Sequence, residues 1–411
     1  MSQIPVNINL PIPFSPPFID EDVIAEVTDT LRSGWITTGP KVKALEELCQ
    51  SVIGTEKALC VNSWTSGAML VMKWLGIGAG DEVIIPAYTY AATALSVMHM
   101  GATPVMVDVH EDFTIAPQAI AAAITPKTKA VISVDFGGMP CRFDEIMQVL
   151  QSGLQPFTPA NDIQAKFGRP VLISDAAHSL GAMYRGRAAA LAADITVFSL
   201  HAVKNVTTAE GGVICINLPK PFDNEQVYAW MRLNAMNGQT KDAFTKTTTS
   251  SWRYDIVSDG LKINMPDVCA AIGLAQLRKY HNMLLPARKQ VHASYINALQ
   301  GKHWPILPVT QDEKRASSYH LFALRINGIN EAQRDRIISL MNDAGVSTNV
   351  HFVPLPMLTL FKTKGFNIDD YPVAYNIYSN EISLPVYPQL TEEHCEYIIQ
   401  QLEKAYNEVV S

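Results

Sequence analysis

Short apolar runs alternate along the first two thirds of the chain with longer stretches in which apolar residues recur every three or four positions. The short runs predict buried strands, and the helical spacing predicts helices between them. The predicted strands are 57–61, 82–85, 104–108, 130–134, 171–173, 195–200 and 213–216. The predicted helices are 20–33 (with Asp20 as the cap), 42–53, 68–75, 91–100, 117–124 and 144–150. This alternation predicts an α/β fold with a mostly parallel sheet covered by helices.

The pattern changes towards the C-terminus. A helical stretch at 265–288 leads out of the sheet region. Predicted strands at 321–326 and 347–351 and predicted helices at 331–344 and 392–409 follow it. We therefore expect a large domain over residues 1–285 and a smaller α+β domain over residues 286–411.

Composition excludes several classes of function. The 411 residues carry a formal net charge of −7, and lysines and arginines are scattered rather than clustered. This argues against nucleic acid or an anionic membrane as the main partner. The uncharged stretch 84–107 is interrupted by prolines and a glycine, which fits a protein core better than a membrane span.

The six cysteines show neither close pairing nor metal-ligand spacing, and several lie in apolar runs. Reduced thiols pack there as small hydrophobic groups, so we expect no metal site and a reducing, cytoplasmic location. The N-terminal residues contain no basic region followed by an apolar core, so we expect no secretion signal.

Two charged residues follow neighbouring predicted strands. Asp175 comes after the strand at 171–173, and Lys204 comes just past the strand at 195–200. A buried carboxylate and a lysine so placed suit pyridoxal phosphate (PLP): the amine condenses with the cofactor aldehyde, and the aspartate holds a proton on the pyridine nitrogen. An ordinary ion pair, or two strand ends facing water, fits these two residues equally well.

Other polar residues also follow predicted strands, where ligands of parallel sheets bind. They include Ser63 to Ser66, Tyr88 to Tyr90, His178 and Ser199. The segment 62–67 leads into a helix and predicts either an anion site or a plain helix cap. The glycines at 76–80 precede a strand rather than follow one, so they are not a dinucleotide fingerprint.

Three loops stand out. Residues 34–40 form an uncharged loop that either lines a pocket or only connects two helices. Residues 151–169 elaborate a connection, and the Thr/Ser/Lys-rich segment 239–251 predicts an exposed, mobile loop.

Together these segments resemble the DegT/DnrJ/EryC1/StrS family of PLP-dependent sugar aminotransferases. The resemblance runs nearly end to end, and is strongest to the branch that acts on nucleotide-linked 4-keto sugars, such as UDP-4-amino-4-deoxy-arabinose synthase. The matching motifs are Gly-Trp-Ile-Thr-Thr-Gly-Pro at 34–40, Gly-Asp-Glu-Val-Ile-Ile-Pro at 80–86, Gly-Ala-Thr-Pro-Val-Met-Val-Asp-Val at 101–109, Asp-Ala-Ala-His at 175–178, Lys-Asn-Val-Thr-Thr-Ala-Glu-Gly-Gly at 204–212 and Leu-Pro-Val-Tyr-Pro at 384–388. The resemblance implies an aspartate-aminotransferase-like fold (fold type I), with a three-layer large domain.

The resemblance also implies a role for each matching residue. Lys204 matches the lysine that binds the cofactor covalently, Asp175 the partner of the pyridine nitrogen, and His178 the residue beside the phenolic oxygen. Tyr90 matches the ring stacked on the cofactor, and Thr65, Ser66 and Ser199 match the phosphate-binding residues. Asn264 matches an asparagine that reaches the cofactor phosphate of the partner subunit, which implies a homodimer with composite sites. His320, His351 and Arg253 correspond to the sugar-nucleotide side, although a histidine at a strand end is equally often structural.

The implied reaction is a two-step transamination. An amino acid, with glutamate expected, converts PLP to pyridoxamine phosphate (PMP), which passes the amine to a nucleotide-linked keto sugar for cell-surface polysaccharide or related amino-sugar synthesis. Two alternatives are a PLP/PMP-dependent nucleotide-sugar dehydratase, in which histidine replaces the lysine, and a non-catalytic PLP-binding regulatory protein. Lys204 argues against the first, and the intact set of Asp175, His178 and Lys204 argues against the second.

Overall fold

The computed structural model describes residues 10–153, 157–240 and 253–410. The helices are α1 (Glu21–Arg32), α2 (Pro40–Ile53), α3 (Trp64–Trp74), α4 (Ala91–His99), α5 (Pro117–Ala123), α6 (Phe143–Gln151), α7 (Asp162–Phe167), α8 (Asn224–Asn234), α9 (Asp267–Lys279), α10 (Leu285–Leu299), α11 (Glu331–Asp343), α12 (Thr359–Lys362), α13 (Pro372–Ser379) and α14 (Glu392–Val410). The strands are β1 (Lys57–Val61), β2 (Glu82–Pro86), β3 (Thr103–Val107), β4 (Thr128–Val134), β5 (Val171–Asp175), β6 (Met183–Tyr184), β7 (Arg187–Ala188), β8 (Ile195–Ser199), β9 (Gly212–Ile216), β10 (Pro305–Ile306), β11 (Arg315–Ala316), β12 (Phe322–Ile326) and β13 (Glu381–Leu384).

Seven strands form the central sheet in the order β1-β9-β8-β5-β4-β2-β3. Strand β9 runs antiparallel to both of its neighbours, and all other pairs between β8 and β3 are parallel. The expectation of a mostly parallel α/β sheet is confirmed. The carboxyl ends of β4, β5 and β8 therefore meet at one edge.

Helices cover both faces of this sheet. Along the strands, alternate residues enter different apolar clusters: Ile173 and Val197 pack with α3, α4 and α8, whereas Leu172 packs with α5 and α6 and Phe198 with α2 and α9. This period of two follows from the strand pleat. The result is the expected three-layer arrangement of fold type I.

The C-terminal part contains a second sheet with strand order β10-β12-β13 and its own apolar cluster between Val291 and Tyr406, joined by Ile12. A third, small sheet joins β11 to the β6–β7 hairpin. Leu321 and Ala323 of this part pack in the cluster of the central sheet, so the two regions are in contact. The boundary after residue 285 stays a prediction.

Two predicted elements differ from the structure. The strand predicted at 347–351 is wrong: only Asn349 forms a bridge, with Ser383, and the backbone N–H of His351 donates instead to the Glu381 carboxylate. The helix predicted at 265–288 is divided by a π-helical turn, Tyr280–Leu284. Pro286 follows that turn and, having no N–H, takes a first-turn position of α10.

The loop predicted at 151–169 contains a short helix, α7, which Asn161 caps by accepting from the Gln164 N–H at 2.9 Å. Residues 154–156 of that loop, and residues 241–251 of the loop predicted at 239–251, lie outside the described residues. Within the described ranges, no helix combines the length and apolar character needed to cross a membrane.

Candidate active site

A cavity of about 380 Å³ lies at the carboxyl ends of β4, β5 and β8. Eight of the eleven residues to which the resemblance assigns a role line it: Thr65, Tyr90, Asp175, His178, Ser199, Lys204, His320 and His351. Their convergence follows from the parallel strands, whose ends meet at one edge of the sheet.

Asp175 is the last residue of β5 and is 5% exposed. Its Oδ2 accepts a hydrogen bond from Thr93 Oγ1 at 3.0 Å, and its Oδ1 accepts from the Ala177 N–H at 3.2 Å. Burial raises the pKa of this carboxyl to about 7, an effect opposed by those hydrogen bonds and by the charge of Lys204. A cationic group in the cavity would therefore be strongly favoured beside it.

Lys204 lies in the turn after β8, where its backbone N–H donates to His201 O at 2.9 Å. Burial lowers the pKa of its side chain to about 8, although the charge of Asp175 acts in the opposite direction. Among the residues that the structure describes, none forms a hydrogen bond or ion pair with the Lys204 amine. The amine is thus available to the cavity, and its neutral fraction near neutral pH is larger than that of an ordinary lysine.

His178 is buried, and its Nδ1 accepts from the Gly137 N–H at 3.2 Å. Burial and the charge of Lys204 hold its pKa well below the usual value. The ring is therefore neutral, with its proton on Nε2, so it offers a donor rather than an acceptor.

His320 packs against His178 with ring centroids 4.4 Å apart. Its Nδ1 lies 2.8 Å from Asn205 Oδ1, and Asn205 Nδ2 donates to Tyr280 Oη at 3.1 Å and Ser318 O at 2.8 Å. Because the amide group has its nitrogen committed to these two acceptors, its oxygen must accept from His320 Nδ1–H. His320 therefore carries its proton on Nδ1.

The segment predicted as either an anion site or a helix cap forms the start of α3. Ser63 caps the helix by accepting from the Ser66 N–H at 3.1 Å, and its hydroxyl lies 2.9 Å from that of Ser66. Helix α3 thus begins at Trp64, before the predicted start at 68, and its first turn with Thr65 faces the cavity. Ser66 is not among the lining residues.

Gly212 permits this arrangement. It pairs with Ser199 across the β8–β9 ladder, and a Cβ atom there would lie 2.7 Å from the Ser63 carbonyl carbon. Only glycine allows β9 to lie this close to the start of α3. One corner of the cavity then combines the first-turn N–H groups of the α3 N-terminus with the hydroxyls of Thr65 and Ser199. Such a set of donors suits a phosphate.

His351 also lines the cavity. Phe14 stacks on the His351 ring with centroids 5.3 Å apart, and His351 Nδ1 lies 2.9 Å from Ser383 Oγ. Burial, together with the charge of Lys204, lowers its pKa to about 3. Tyr90 is 64% exposed at the start of α4 and packs at 5.8 Å against Phe352, with much of its ring accessible to a ligand.

Besides Ser66, two predicted site residues do not line the cavity. Asn264 donates from Nδ2 to Thr38 Oγ1 at 2.6 Å and lines a small cleft with the 34–40 loop, apart from the cavity. Arg253 is exposed and does not line the cavity. The structure of one chain brings neither residue to its own Lys204.

Sequence reasoning missed several residues that contact the predicted ones. Thr93 lies inside α4, Phe14 in the proline-rich N-terminal segment, and Phe352 directly after His351. Asn205 directly follows Lys204, a position that could have drawn attention to it. Phe352 is likewise next to a predicted residue, whereas Thr93 and Phe14 carry no local signal because their partners, Asp175 and His351, are distant in sequence.

A second cavity, of about 560 Å³, lies between the central sheet and the C-terminal region. It is lined by three arginines, each paired with a carboxylate of Asp112, Asp312 or Glu111. Its lining contains no lysine. Of these two cavities in the described part of the chain, the one at the strand ends combines an amine without a partner, a buried carboxylate and a helix N-terminus, which are the groups that PLP requires.

Comparison with known proteins agrees with this chemistry. The model of the DegT/DnrJ/EryC1/StrS aminotransferase family matches residues 17–403. The spore coat polysaccharide biosynthesis protein SpsC of Bacillus subtilis (strain 168) is 34% identical over 397 residues, which is 95% of this chain and 95% of SpsC.

Solved structures are similar over almost the whole chain. A candidate sugar aminotransferase, Spr1654 from Streptococcus pneumoniae, is 42% identical in its PMP-form, with a TM-score of 0.93 over 97% of this chain and 100% of that one. Its PLP-form is 41% identical, with a TM-score of 0.93 over 97% of this chain and 100% of that one. PseC of Helicobacter pylori, an aminotransferase involved in the biosynthesis of pseudoaminic acid, is 25% identical, with a TM-score of 0.85 over 96% of this chain and 99% of that one. The chain therefore belongs to the DegT/DnrJ/EryC1/StrS family of sugar aminotransferases, which depend on pyridoxal phosphate.

Proposed function

We propose that this protein transfers an amino group from an amino acid, with L-glutamate as the expected donor, to a nucleotide-linked keto sugar. The observation that carries this proposal is the amine of Lys204, without a partner among the described residues, in the same cavity as the buried Asp175 carboxylate. The product would serve cell-surface polysaccharide or related amino-sugar synthesis, as the name of SpsC indicates for that relative.

Pyridoxal phosphate, when bound, supplies a carbonyl for amine exchange and a ring that withdraws electrons. Asp175 would hold a proton on the pyridine nitrogen, and His178 would donate from Nε2–H to the phenolic oxygen. Lys204 would bind the cofactor and, once released, move the proton at the substrate carbon, a task that suits an amine with a pKa of about 8.

The first turn of α3, with Thr65, Ser66 and Ser199, would hold the phosphate, and Tyr90 would cover the ring with its π face. His320 and His351 lie on the wall of the cavity and would contact the sugar. Arg253 would meet the diphosphate, since a guanidinium pairs well with phosphate oxygens.

Composite sites in a homodimer are part of the proposal. Asn264 lies in a cleft apart from its own cavity, as is required of a residue that serves the partner subunit. The cytoplasm stays our expected location, based on the unpaired spacing of the six cysteines.

The dehydratase and the regulatory protein remain alternatives. Lys204 lies in the cavity and its pKa is lowered, which disfavours a dehydratase with histidine at this position. A regulatory protein would need no proton-transferring base beside a buried carboxylate.

The test is a half-reaction screen. The enzyme is converted to its PMP form with glutamate and then mixed with UDP-, GDP- and dTDP-linked keto sugars, while the absorbance of PLP is recorded. We expect one nucleotide-linked sugar to restore the PLP spectrum, and the free keto sugar to react far more slowly.

Lys204→Ala should abolish the response, whereas Lys364→Ala, a substitution of an exposed lysine, is the matched control. Equal rates with the free sugar would contradict the nucleotide linkage, and loss of the sugar oxygen without amination would indicate a dehydratase.

A further inference from the structure

Behind His351 lies a chain of hydrogen bonds that ends at a buried carboxyl. Ser383 Oγ lies 2.9 Å from His351 Nδ1 and 2.5 Å from Glu381 Oε1. Both Glu381 and Ser383 are fully buried in β13, where the period of two places their side chains on the same face. The His351 backbone N–H donates to the other carboxyl oxygen, Oε2, at 3.0 Å.

The hydroxyl of Ser383 has a single proton and stands between two groups that compete for it. When Glu381 is ionised, Ser383 donates to Oε1 and must accept from His351, so the imidazole proton is on Nδ1. The ring nitrogen left for the cavity, Nε2, is then an acceptor.

Protonation of Glu381 reverses the chain. Because Oε2 already accepts from the His351 N–H, the acid proton belongs on Oε1 and is donated to Ser383. The serine then donates to His351 Nδ1, and the imidazole proton moves to Nε2. His351 now offers the cavity a donor.

We propose that Glu381 and Ser383 are positioning residues that determine which nitrogen of His351 carries the proton, and hence whether His351 donates to or accepts from the sugar. The inference rests on the proposed function only in naming the sugar as the group that contacts His351. The control of the tautomer is a property of this chain alone.

The surroundings place this change of state near neutral pH. Burial raises the pKa of Glu381 to about 8. The hydrogen bonds from Ser383 and His351 and the charge of Arg334 act in the opposite direction and lower that pKa. Arg334 donates to the Glu381 carbonyl at 3.2 Å, and the Tyr88 hydroxyl donates to the His351 carbonyl at 2.5 Å. His351 itself stays neutral, since its own pKa is about 3, lowered by burial and by the charge of Lys204. Only the position of its proton changes.

The experiment is ¹⁵N NMR of the holoenzyme with labelled histidine, with the His351 signals assigned by their loss in His351→Gln. The wild-type protein should change from the Nε2–H to the Nδ1–H tautomer as the pH rises from about 6 to about 9. In Glu381→Gln the amide oxygen must accept from the His351 N–H, which turns the NH₂ group towards Ser383. That variant should therefore keep the Nε2–H tautomer at every pH.

Variants at Ser383 provide a second, milder test. Ser383→Thr keeps the hydroxyl and should retain the pH-dependent change, whereas Ser383→Ala should remove it. Ser379→Ala, whose hydroxyl donates to Asn376 O, is the matched control. The KM for the sugar should vary with pH in wild type and in Ser383→Thr, and this variation should be lost in Ser383→Ala.

An identical tautomer in wild type and Glu381→Gln at every pH would overturn the inference, as would an unaltered pH response in Ser383→Ala. A normal tautomer change combined with a pH-independent KM for the sugar would instead count against the contact of His351 with the sugar, that is, against the proposed function.

Discussion

Asp175 and Lys204 influence each other across the cavity. Burial raises the pKa of the carboxyl to about 7 and lowers that of the amine to about 8, and the attraction between the two charged forms opposes both shifts. The pKa of each residue therefore lies near neutral pH, as general acid–base chemistry requires.

This coupling has a measurable consequence in the cofactor-free enzyme. In the proposed reaction only the neutral amine of Lys204 attacks the PLP aldehyde, so the rate of reconstitution should rise about tenfold per pH unit below pH 8 and level off above it. Asp175→Asn removes the charge that raises the pKa of Lys204, so its midpoint should move to lower pH. Stopped-flow absorbance measures both profiles.

Asp259→Asn, an exposed aspartate paired with Lys73, is the control and should leave the midpoint unchanged. A midpoint for Asp175→Asn equal to or above that of wild type would show that the two side chains do not interact in this way.

At the scale of elements, the short helix α7 closes the C-terminal end of α3. The Leu75 carbonyl accepts from Asn161 Nδ2 at 3.0 Å and from Gln164 Nε2 at 2.8 Å. Gly76 makes room for this contact, since a Cβ atom there would lie 2.4 Å from Asn161 Nδ2. The loop at 151–169 therefore anchors the helix whose first turn faces the cavity.

Gln164→Ala should destabilise the protein by about 1–3 kcal/mol, because Gln164 is fully buried and its loss removes the buried hydrogen bond to the Leu75 carbonyl together with the one from the Ala160 N–H. Urea unfolding of the holoenzyme measures this change. Gln151→Ala, at an exposed position, should change stability by less than about 0.5 kcal/mol. Equal effects of the two substitutions would remove the anchoring role of α7.

At the scale of the whole molecule, the separation of Asn264 from its own cavity bears on the number of chains in a site. If Asn264 serves the partner, then in a mixed dimer of Lys204→Ala and Asn264→Ala one site carries both lesions and the other carries neither. Random exchange makes half of the dimers mixed, so about a quarter of wild-type activity should return. The measurement is turnover after mixing the two purified variants.

In the control, Lys204→Ala is mixed with the double variant Lys204→Ala/Asn264→Ala. Every chain then lacks Lys204, so no dimer contains an intact site. No recovery in dimers shown to be mixed by two affinity tags would place Asn264 outside the partner's site.

The sequence alone predicted the α/β alternation and the seven strands of the central sheet, with ends that differ by a few residues from those observed. It also predicted that the candidate site residues gather at the carboxyl ends of the parallel strands, where the cavity lies. These features are local: a strand buried on both faces is a short apolar run, and a helix on a sheet has an apolar stripe, whatever lies beyond it in the chain. The sequence also indicated that Asp175, His178 and Lys204 follow parallel strands, where ligands bind, and the structure brings the three into one cavity. Their roles stay predictions.

Only the tertiary structure decided how these side chains are held. Thr93 bonds to Asp175 from 82 residues away, and Asn205 bonds to His320 from 115 residues away. The strand expected at 347–351 failed for the same reason, because the His351 N–H is taken by a buried carboxyl 30 residues later in the chain. A hydrogen bond depends on where both partners lie in space, and neither the hydrophobic period nor a local motif contains the position of a distant partner.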